Sequence, residues 1–268
     1  MVLQTADFPS VTIVTPSFNQ GTFIEQTILS VINQSYPNIE YIIMDGGSTD
    51  GTIDIIKKYE KHISYWESKE DNGQTHAINK GFRMAMGEYV GWLNSDDWLE
   101  PFAVSKIISC FQLNKNIGTV YGHLNIVDES GKVIGTRTNP VLNGIHDFLN
   151  GEDSIIQIGS FHRKNLLDKY GYLDESLNYA MDYELWMRIW MVSKLNNLKD
   201  WLVKYRILET SISNKNHLKQ KVLWLKISIK YCKYYNNSII SIFINIIKIL
   251  IPQFFYKKLL TIYIKNKR

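Results

Sequence analysis

The feature that most constrains this chain is an apolar run that ends in two adjacent carboxylates. Residues 88–98 read Glu-Tyr-Val-Gly-Trp-Leu-Asn-Ser-Asp-Asp-Trp, which is typical of a buried strand followed by a charged turn. Ionised aspartates are rarely buried and neighbouring carboxylates repel, so Asp96 and Asp97 require a cation or hydrogen-bond donors nearby. A divalent metal ion is the simplest such cation. A helix N-terminus is the alternative, because Pro101 and an apolar run over 102–108 follow closely.

Composition and cysteine usage indicate a globular, intracellular protein. The chain has 268 residues, of which 45% are hydrophobic, enough for one large domain or two small ones with a full core. Cys110 and Cys232 are far apart and share no metal-ligand spacing with any pair of histidines, so we expect neither a disulfide framework nor a zinc site. The first seven residues lack the basic and apolar segments of a secretory signal. We therefore expect the protein to stay inside the cell, in a reducing compartment.

The net charge of +4 conceals two parts of opposite sign. Through Glu209 the chain has 18 basic and 26 acidic residues, a net charge of −8, whereas the remainder has 12 basic residues and no acid. A basic segment without acids indicates an anionic partner, either nucleic acid or a membrane surface. We expect a catalytic domain over residues 1–210 and a basic, amphipathic helical tail over residues 211–268.

Strands and helices alternate through the first hundred residues. Apolar and β-branched runs predict strands at 11–16, 39–45 and 63–67, and helical periodicity predicts helices over 22–35, 52–59 and 74–86. This order predicts a mostly parallel sheet between two layers of helices, a three-layer α/β/α fold. Because the carboxyl ends of parallel strands lie at one edge, Asp45 and Asp97 should come close together. Asp45 alone is also explained by turn chemistry, since two glycines follow it.

Two common nucleotide-binding motifs are absent from the sequence. No Gly-x-Gly-x-x-Gly follows either early strand, and no Gly-Lys-Ser or Gly-Lys-Thr occurs in the glycine-rich turns. Rossmann and P-loop sites are therefore not expected. A phosphate-bearing ligand would need a metal ion instead.

Four blocks of sequence resemble, in the same order, the signatures of the family 2 glycosyltransferases. They read VTIVTPSFN at 11–19, MDGGSTDGT at 44–52, DNGQTHAINKG at 71–81 and GEYVGWLNSDD at 87–97. The resemblance extends over most of the 1–210 domain and implies a GT-A-like nucleotide-diphosphosugar transferase fold. It also implies a sugar-nucleotide donor, usually a UDP-linked one.

The resemblance assigns substrate-binding residues to the first three blocks. Asp45 would accept a hydrogen bond from the uracil ring, and the loop around Pro16 would line the nucleotide. Asn19 and Asn79 lie in matching blocks and are placed with the substrate-binding residues on the same ground.

The fourth block supplies the metal site that the resemblance implies. Asp96 and Asp97 fall on the family's acidic motif, which binds a metal ion and the ribose, so Mn²⁺ or Mg²⁺ is the expected cofactor. Many members begin this motif with aspartate, whereas this chain has Asn94. An amide can hydrogen-bond ribose hydroxyls but brings no charge. Asn94 and Asp96 are therefore placed with the substrate-binding residues, and both aspartates with the metal ligands.

A further block, residues 178–190, predicts a helix with one apolar face and Asp182 in its first turn. The helix dipole stabilises a carboxylate there, which would explain Asp182 without a catalytic role. The block also resembles the family's Asp-x-x-Leu-Trp-x-Arg signature, whose aspartate is the catalytic base of inverting members. On that resemblance Asp182 is the base, and Arg188 would orient Asp182 or Glu184.

The middle of the chain is expected to form structure on the acceptor side. Residues 118–128 and 131–135 alternate and turn like a hairpin, and the apolar run 155–163 predicts another strand. Its polar residues could meet the acceptor sugar, namely Gln157, Ser160 and His162. Ordinary strand residues are the more common explanation, so none of the three is named as a ligand.

The tail contains two segments with apolar stripes. The first stripe consists of Leu218, Val222, Leu225 and Ile229, with lysines along another line of the same helix. The second segment, 238–251, is shorter than the ~20 residues of a membrane span, ends at Pro252, and separates polar from apolar faces. A helix packed on the catalytic domain would show the same pattern. We predict attachment to the membrane surface, because each Lys or Arg near an anionic leaflet contributes ~1 kcal/mol.

These observations predict a cytoplasmic, metal-dependent, inverting glycosyltransferase of the hexosyltransferase type. We expect it to bind a nucleotide-sugar donor and a glycan or lipid-linked acceptor at the inner face of the plasma membrane. The resemblance to family 2 glycosyltransferases alone implies a role in bacterial surface polysaccharide synthesis. A sugar nucleotidyltransferase would need a basic loop after the first strand, and residues 15–21 contain no basic residue. A non-catalytic carbohydrate-binding protein would not need all four of Asp45, Asp96, Asp97 and Asp182. Nucleic acid is not expected as a partner, because the tail has no recognisable motif for it.

Overall fold

The structure, a computed structural model, describes residues 8–142, 157–177, 179–208 and 217–232. The strands are β1 Val11–Ser17, β2 Ile39–Asp45, β3 Tyr65–Ser68, β4 Tyr89–Trp92, β5 Trp98–Leu99, β6 Ile117–Val127, β7 Val133–Arg137, β8 Phe161–Arg163 and β9 Lys194–Arg206. The helices are α1 Ile24–Ile32, α2 Thr52–Lys58, α3 Gln74–Met84, α4 Ala103–Leu113, α5 Lys164–Tyr170, α6 Met181–Trp190 and α7 His217–Cys232. A short 3-10 helix, Glu60–His62, precedes β3.

These strands form one mixed sheet in the order β3-β2-β1-β4-β8-β6-β9-β5, and β7 pairs with β6. The first four strands are all parallel, which confirms the prediction from the alternation of strands and helices. In the other half, β8 is antiparallel to β4 and to β6, β9 is parallel to β6, and β5 is antiparallel to β9. The sheet is therefore parallel on the side of β1 and mixed on the side of β6.

The short connection between β4 and β5 requires the sheet to curl. These strands are fourth and eighth in the sheet, a separation of roughly 19 Å if neighbouring strands in a flat sheet are ~4.8 Å apart. Residues 93–97 make the whole connection, and part of it is a turn in which the Asp97 N–H donates to the Asn94 carbonyl (3.2 Å). A turn of this length cannot cross a flat sheet. The curl brings β5 and β9 close to the carboxyl end of β4.

Close packing of α3 on β1 depends on a glycine. A Cβ atom at Gly81 would lie 2.4 Å from Val14 Cγ1, so any larger residue would push α3 away from the strand. Val14 belongs to β1, which is buried along its full length. The contact fixes the last turn of α3 against β1.

The middle of the chain agrees only in part with the sequence analysis. The predicted hairpin is confirmed as β6 and β7. The predicted strand over 155–163 is limited to Phe161–Arg163 within the described residues, and residues 155–156 lie outside them. The 13-residue strand β9 was not predicted.

The chain separates into two compact units. The first consists of Met1–Val141 and Ile155–Glu209, and the second of Leu142–Ser154 and Thr210–Arg268. The second unit contains α7, on which Val222 and Ile229 of the predicted stripe are exposed. The predicted segment 238–251 lies outside the described residues. Among the helices that the structure describes, none is long and apolar enough to cross a membrane.

Candidate active site

The candidate site lies where the order of the strands reverses. The chain continues from β1 to β2 and β3 on one side, whereas β4 lies on the other side of β1. Open α/β sheets bind ligands in the crevice at such a point. The pairing of β1 with β4 ends at Val14 and Trp92, and Pro16 follows without an N–H to extend it. The ends of β1 and β4 can therefore separate beside Pro16, the residue predicted to line the nucleotide.

Asp45 ends β2, and four hydrogen bonds hold its carboxylate. Oδ2 accepts bonds from the N–H groups of Gly47 (3.1 Å) and Ser48 (2.8 Å) and from the Ser68 hydroxyl (2.6 Å). Oδ1 accepts one bond, from the Ser48 hydroxyl (2.5 Å). Gly47 has a φ of +87°, which favours glycine and lets its N–H point back to the carboxylate. Asp45 is only 2% exposed, so contact with the uracil ring, which stays a prediction, would use Oδ1.

Asn19 fastens the loop after β1 to the loop after β2. Its N–H donates to Ser48 Oγ (2.7 Å), and its Oδ1 accepts a bond from the Thr49 N–H (2.9 Å). Its φ of 51° lies in the left-handed region, which asparagine tolerates. Within the described part of the chain, its side-chain amino group is the part left for the predicted substrate contact.

The acidic turn, residues 94–97, connects β4 to β5 and places Asp97 in the interior. Asp97 is 0% exposed. Its Oδ1 accepts a bond from the Arg206 N–H (2.9 Å), and its Oδ2 accepts one from the Asn94 amide (3.2 Å). Burial and the adjacent Asp96 carboxylate raise the pKa of Asp97 well above its usual value. The Asp97 carboxylate, predicted to bind metal, is therefore occupied by protein groups.

Asp96 carries the carboxylate of the pair that a ligand can reach. The residue is partly exposed, and burial raises its pKa, an effect opposed by its own N–H and by the Arg206 charge. Two negative charges in a partly desolvated place favour a nearby cation. The described residues contain no group of three or more His, Cys, Asp or Glu side chains placed to hold a metal ion. A single accessible carboxylate fits Mg²⁺ or Mn²⁺, because such ions keep water ligands and share substrate phosphates with one or two protein carboxylates.

Arg206, at the end of β9, supports the acidic turn and was missed by the sequence analysis. Besides the backbone bond to Asp97, its Nε donates to the Asp96 carbonyl (3.0 Å). Its remaining groups donate to the Glu129 carbonyl and to Gln26 Oε1. The guanidinium also lies 4.5 and 4.8 Å from two ring centroids, those of Phe23 and Trp98. No local motif marks Arg206, because all of these partners are distant in sequence.

The first turn of α3 joins the acidic turn to α6. Gln74 Nε2 donates to Asn94 Oδ1 (2.8 Å), and Thr75 Oγ1 donates to Met181 Sδ (2.7 Å). Met181 is the first residue of α6 and directly precedes Asp182. The predicted base and the predicted metal-binding turn are therefore brought to the same site by two neighbouring side chains.

Asp182 lies in the first turn of α6, as the periodicity predicted. Its Oδ1 accepts a bond from the Tyr183 N–H (2.9 Å). Desolvation raises the pKa of Asp182, and the backbone bonds oppose this only in part. Ala180, just before the helix, has a φ of 66°, an uncommon conformation for a residue with a side chain. A carboxylate with a raised pKa is a better base than an ordinary one near neutral pH.

Arg188 orients Glu184 rather than Asp182. Its Nη2 lies 2.9 Å from Glu184 Oε2, one turn earlier on α6. The guanidinium also donates to three successive carbonyls at the end of α5 and just after it, those of Tyr170, Gly171 and Tyr172. Arg188 therefore anchors α6 to that segment.

Two residues considered as ligands have internal partners. Asn79 is 1% exposed, and its amide bonds both the N–H (3.0 Å) and carbonyl (2.9 Å) of Leu173 and also Glu175 Oε1 (2.8 Å). The amide therefore holds the segment after α5, and its predicted contact with the substrate stays a prediction. His162 is fully buried beside Thr119 Oγ1 (2.8 Å), and burial lowers its pKa to about 3. It is an ordinary interior strand residue.

The chain matches one protein family over more than half of its length, from β1 to the end of α5. The family model described as glycosyl transferase family 2 matches residues 12–171. A Bacillus subtilis glycosyltransferase, whose name places it in teichuronic acid biosynthesis, is 29% identical over 227 residues, covering 81% of this chain and 86% of the relative.

Two solved structures share the fold. One is residues 1–349 of S. aureus TarS in complex with UDP-GlcNAc, with a TM-score of 0.67, 17% identity, and coverage of 82% of this chain and 66% of that chain. The other is a Pyrobaculum calidifontis mannosyltransferase in complex with GDP-Man and Mn²⁺, with a TM-score of 0.63, 18% identity, and coverage of 84% and 64%. This chain thus spans just under two thirds of each solved chain. At these identities the likeness concerns the fold, and it confirms the fold predicted from the sequence.

Proposed function

This chain belongs to glycosyl transferase family 2, and we propose that it is a metal-dependent, inverting hexosyltransferase that uses a UDP-linked sugar. The observation that carries the proposal is the pair of hydrogen bonds from the start of α3, one to the acidic turn and one to the residue before Asp182. These bonds support a crevice shared by a partly exposed carboxylate, Asp96, and a carboxylate with raised pKa, Asp182. The two lie on different elements, so donor binding and proton transfer can be separate tasks.

The donor would lie across the ends of β1, β2 and β4. In this arrangement Asp45 and Asn19 would meet the nucleoside, and Asn94 and Asp96 would meet the ribose and the diphosphate. The UDP-GlcNAc bound by TarS supports a uridine donor, and the Mn²⁺ bound by the mannosyltransferase supports a cation. When bound, the cation would be held by Asp96 and would neutralise negative charge on the departing diphosphate.

Asp182 would act as the general base of a single displacement. It takes the proton from the acceptor hydroxyl while the hydroxyl oxygen forms a bond to the anomeric carbon. The bond between that carbon and the diphosphate oxygen breaks, and the nucleoside diphosphate leaves as an anion. Because the attack comes from the face opposite the diphosphate, the anomeric configuration is inverted.

The acceptor would be a hydroxyl of a glycan or of a lipid-linked glycan in a bacterial surface polysaccharide. The teichuronic acid name of the Bacillus subtilis relative supports this class. The acceptor sugar and the linkage are determined by loops, whose sequences have no pattern that transfers from one enzyme to another.

A panel of UDP-sugars, incubated with the purified chain, tests the proposed reaction. We expect turnover of at least one donor with Mn²⁺ or Mg²⁺, suppression of that turnover by a chelator, and an inverted anomeric configuration in the transferred product by NMR. Undiminished turnover in chelator would contradict the metal site. Absence of both turnover and UDP binding would contradict the donor.

The exposed face of α7 supports attachment to the cytoplasmic membrane surface. Val222 is 37% and Ile229 49% exposed, and three exposed lysines are interleaved with them at helical spacing, namely Lys219, Lys226 and Lys230. Apolar residues flanked by cations favour the interface of an anionic bilayer. The tail would thus hold the enzyme near a lipid-linked acceptor.

Truncation after Thr210 tests this attachment. The shortened protein should move from the membrane pellet to the soluble fraction and should still hydrolyse the donor. Failure of the full-length protein to bind anionic liposomes at low salt would rule out the attachment.

A further inference from the structure

A second cavity lies at the end of the sheet opposite the crevice. β8 runs antiparallel to β4, and Arg163, its last residue, pairs with Tyr89 at the start of β4. β6 and β9 begin at the same level, where Ile117 pairs with Lys194. These strand ends and the first turn of α5 line a cavity of about 410 Å³, a volume within the range of small-molecule sites.

The lining of this cavity is basic and includes no acidic residue. Lys115, Arg163 and Lys194 all contribute to it. Arg163 is bound within the protein, since it donates to the carbonyls of Ile117 and Phe111 and its Nη1 lies 3.4 Å from Glu88 Oε1. In the described part of the chain, the ammonium groups of Lys115 and Lys194 make neither an ion pair nor a hydrogen bond.

Lys115 and Lys194 are exposed and line the same cavity. Several other lysines form a salt bridge with an acid, namely Lys58, Lys80, Lys106 and Lys164. Other lysines of this unit, such as Lys57 and Lys61, also have no acidic partner among the described residues, so the shared cavity is what distinguishes this pair. The cavity also includes two exposed amides whose side chains have no bonds among the described residues, those of Asn116 and Asn165. Amides donate and accept hydrogen bonds, so the site offers two free cations with neutral polar groups beside them.

From this lining we infer a binding site for a small saccharide that bears a phosphate or a carboxylate. Charge-assisted hydrogen bonds from the two ammonium groups would hold the oxyanion, and the two amides would meet sugar hydroxyls. The Ser193 hydroxyl donates to the Ile189 carbonyl (3.3 Å), so toward a sugar it could only accept. The lining has no carboxylate, imidazole or thiol that could act as a base or a nucleophile. The inferred role is binding alone, and it stands independently of the proposed transfer reaction.

Calorimetry with inorganic phosphate, glucuronate and neutral glucose tests the site. The protein is first freed of metal ions with a chelator and then dialysed, so that neither a metal ion nor the anionic chelator takes part in binding. We expect saturable binding of phosphate, glucuronate or both, and no binding of glucose. The variant Lys115→Ala/Lys194→Ala should bind the anions about tenfold more weakly or worse, as expected when charge-assisted bonds are removed. Its UDP binding with Mg²⁺ should equal that of the wild type. The anion with the higher affinity identifies whether the ligand's group is a phosphate or a carboxylate.

A variant of equal charge provides the control. Lys57→Ala/Lys61→Ala removes two exposed lysines, one from α2 and one from the following 3-10 helix. These helices connect β2 to β3, at the other side of the sheet from β6 and β9. It should bind both anions like the wild type. The inference is overturned if the wild type binds neither anion, or if the control loses as much affinity as the Lys115→Ala/Lys194→Ala variant.

Discussion

Asp96 and Asp97 are neighbours in sequence but face different surroundings. Asp96 is partly exposed, whereas the Asp97 carboxylate is bonded by the Arg206 N–H and the Asn94 amide. We predict that Asp96→Asn weakens UDP binding in Mg²⁺ by about tenfold or more, ~1.4 kcal/mol, because the cation loses its charged ligand. In chelator, calorimetry should give equal UDP affinities for the variant and the wild type. A loss of equal size in chelator would mean that Asp96 binds the nucleotide without a metal ion.

Asp97→Asn should act mainly on the stability of the fold. An amide can still accept the Arg206 N–H bond, but its amino group would face the Asn94 amide, whose oxygen is already bonded by Gln74. Leaving a buried donor unsatisfied typically costs about 1–3 kcal/mol. Urea denaturation should show this loss in the free energy of unfolding. If Asp97→Asn left the stability unchanged but lost metal-dependent UDP binding, Asp97 rather than Asp96 would be the metal ligand.

His162 gives the stability a specific pH dependence. Its pKa in the folded protein is about 3 because burial disfavours the charged ring, against ~6.5 in an unfolded chain. Between these values the unfolded state binds more protons, so the free energy of unfolding falls by about 1.4 kcal/mol per pH unit as the pH falls. Above about pH 6.5 both states are neutral at this residue, and its contribution is constant.

The variant His162→Gln tests this dependence while keeping a hydrogen-bonding group for Thr119. Between pH 7.5 and 5.0 it should lose about 2 kcal/mol less stability than the wild type. Denaturant titrations at both pH values give the comparison. Parallel losses in the two proteins would show that another group dominates acid destabilisation.

At the scale of elements, β9 completes the site through its last residue. Arg206→Lys keeps the positive charge but loses the planar fork that reaches Gln26, the Glu129 carbonyl and the Asp96 carbonyl. We predict a loss of about 1–3 kcal/mol in the free energy of unfolding and weaker UDP binding in Mg²⁺, because the acidic turn loses its support. The matched change Arg83→Lys, at an exposed salt bridge, should stay within ~0.5 kcal/mol of the wild type. Equal effects from the two changes would mean that Arg206 does not hold the turn.

The elements that could be predicted are those with a regular period. The first three strands and their helices follow from β-branched runs and helical spacing, and α3 begins at Gln74 as expected. β9 has no clean alternation, because Asn196 and Asn197 interrupt it, Lys199 has a φ of 60°, and its register with β6 shifts three times. Irregular strands are stabilised by their neighbours in the sheet rather than by local pattern. The sequence therefore could not indicate the strand that carries Arg206.

At the scale of the whole molecule, the site is assembled from segments far apart in the chain. The bond between Asp97 and Arg206 spans 109 residues, and the bond between Thr75 and Met181 spans 106. Sequence motifs could identify the carboxylates of the site. The exposure of each carboxylate depends on partners that are distant in sequence, which a motif does not include. For that reason the sequence placed both aspartates in the metal site and Asn79 with the substrate, whereas the structure distinguishes Asp96 from Asp97 and gives Asn79 an internal role.

The central claim is that donor binding and proton transfer are divided between the acidic turn and α6, and Asp182→Asn tests it most directly. With the turnover assay and UDP calorimetry in Mg²⁺, we expect wild-type UDP affinity and a loss of transfer of ~10²–10⁴-fold, the range for a general base. Asp54→Asn is the control. Asp54 is an exposed acid in the first turn of α2, so it shares with Asp182 only the favourable interaction with a helix dipole. The Asp54→Asn variant should transfer sugar at the wild-type rate. Transfer by Asp182→Asn at the wild-type rate would contradict the claim and leave Asp182 as a helix-terminal acid.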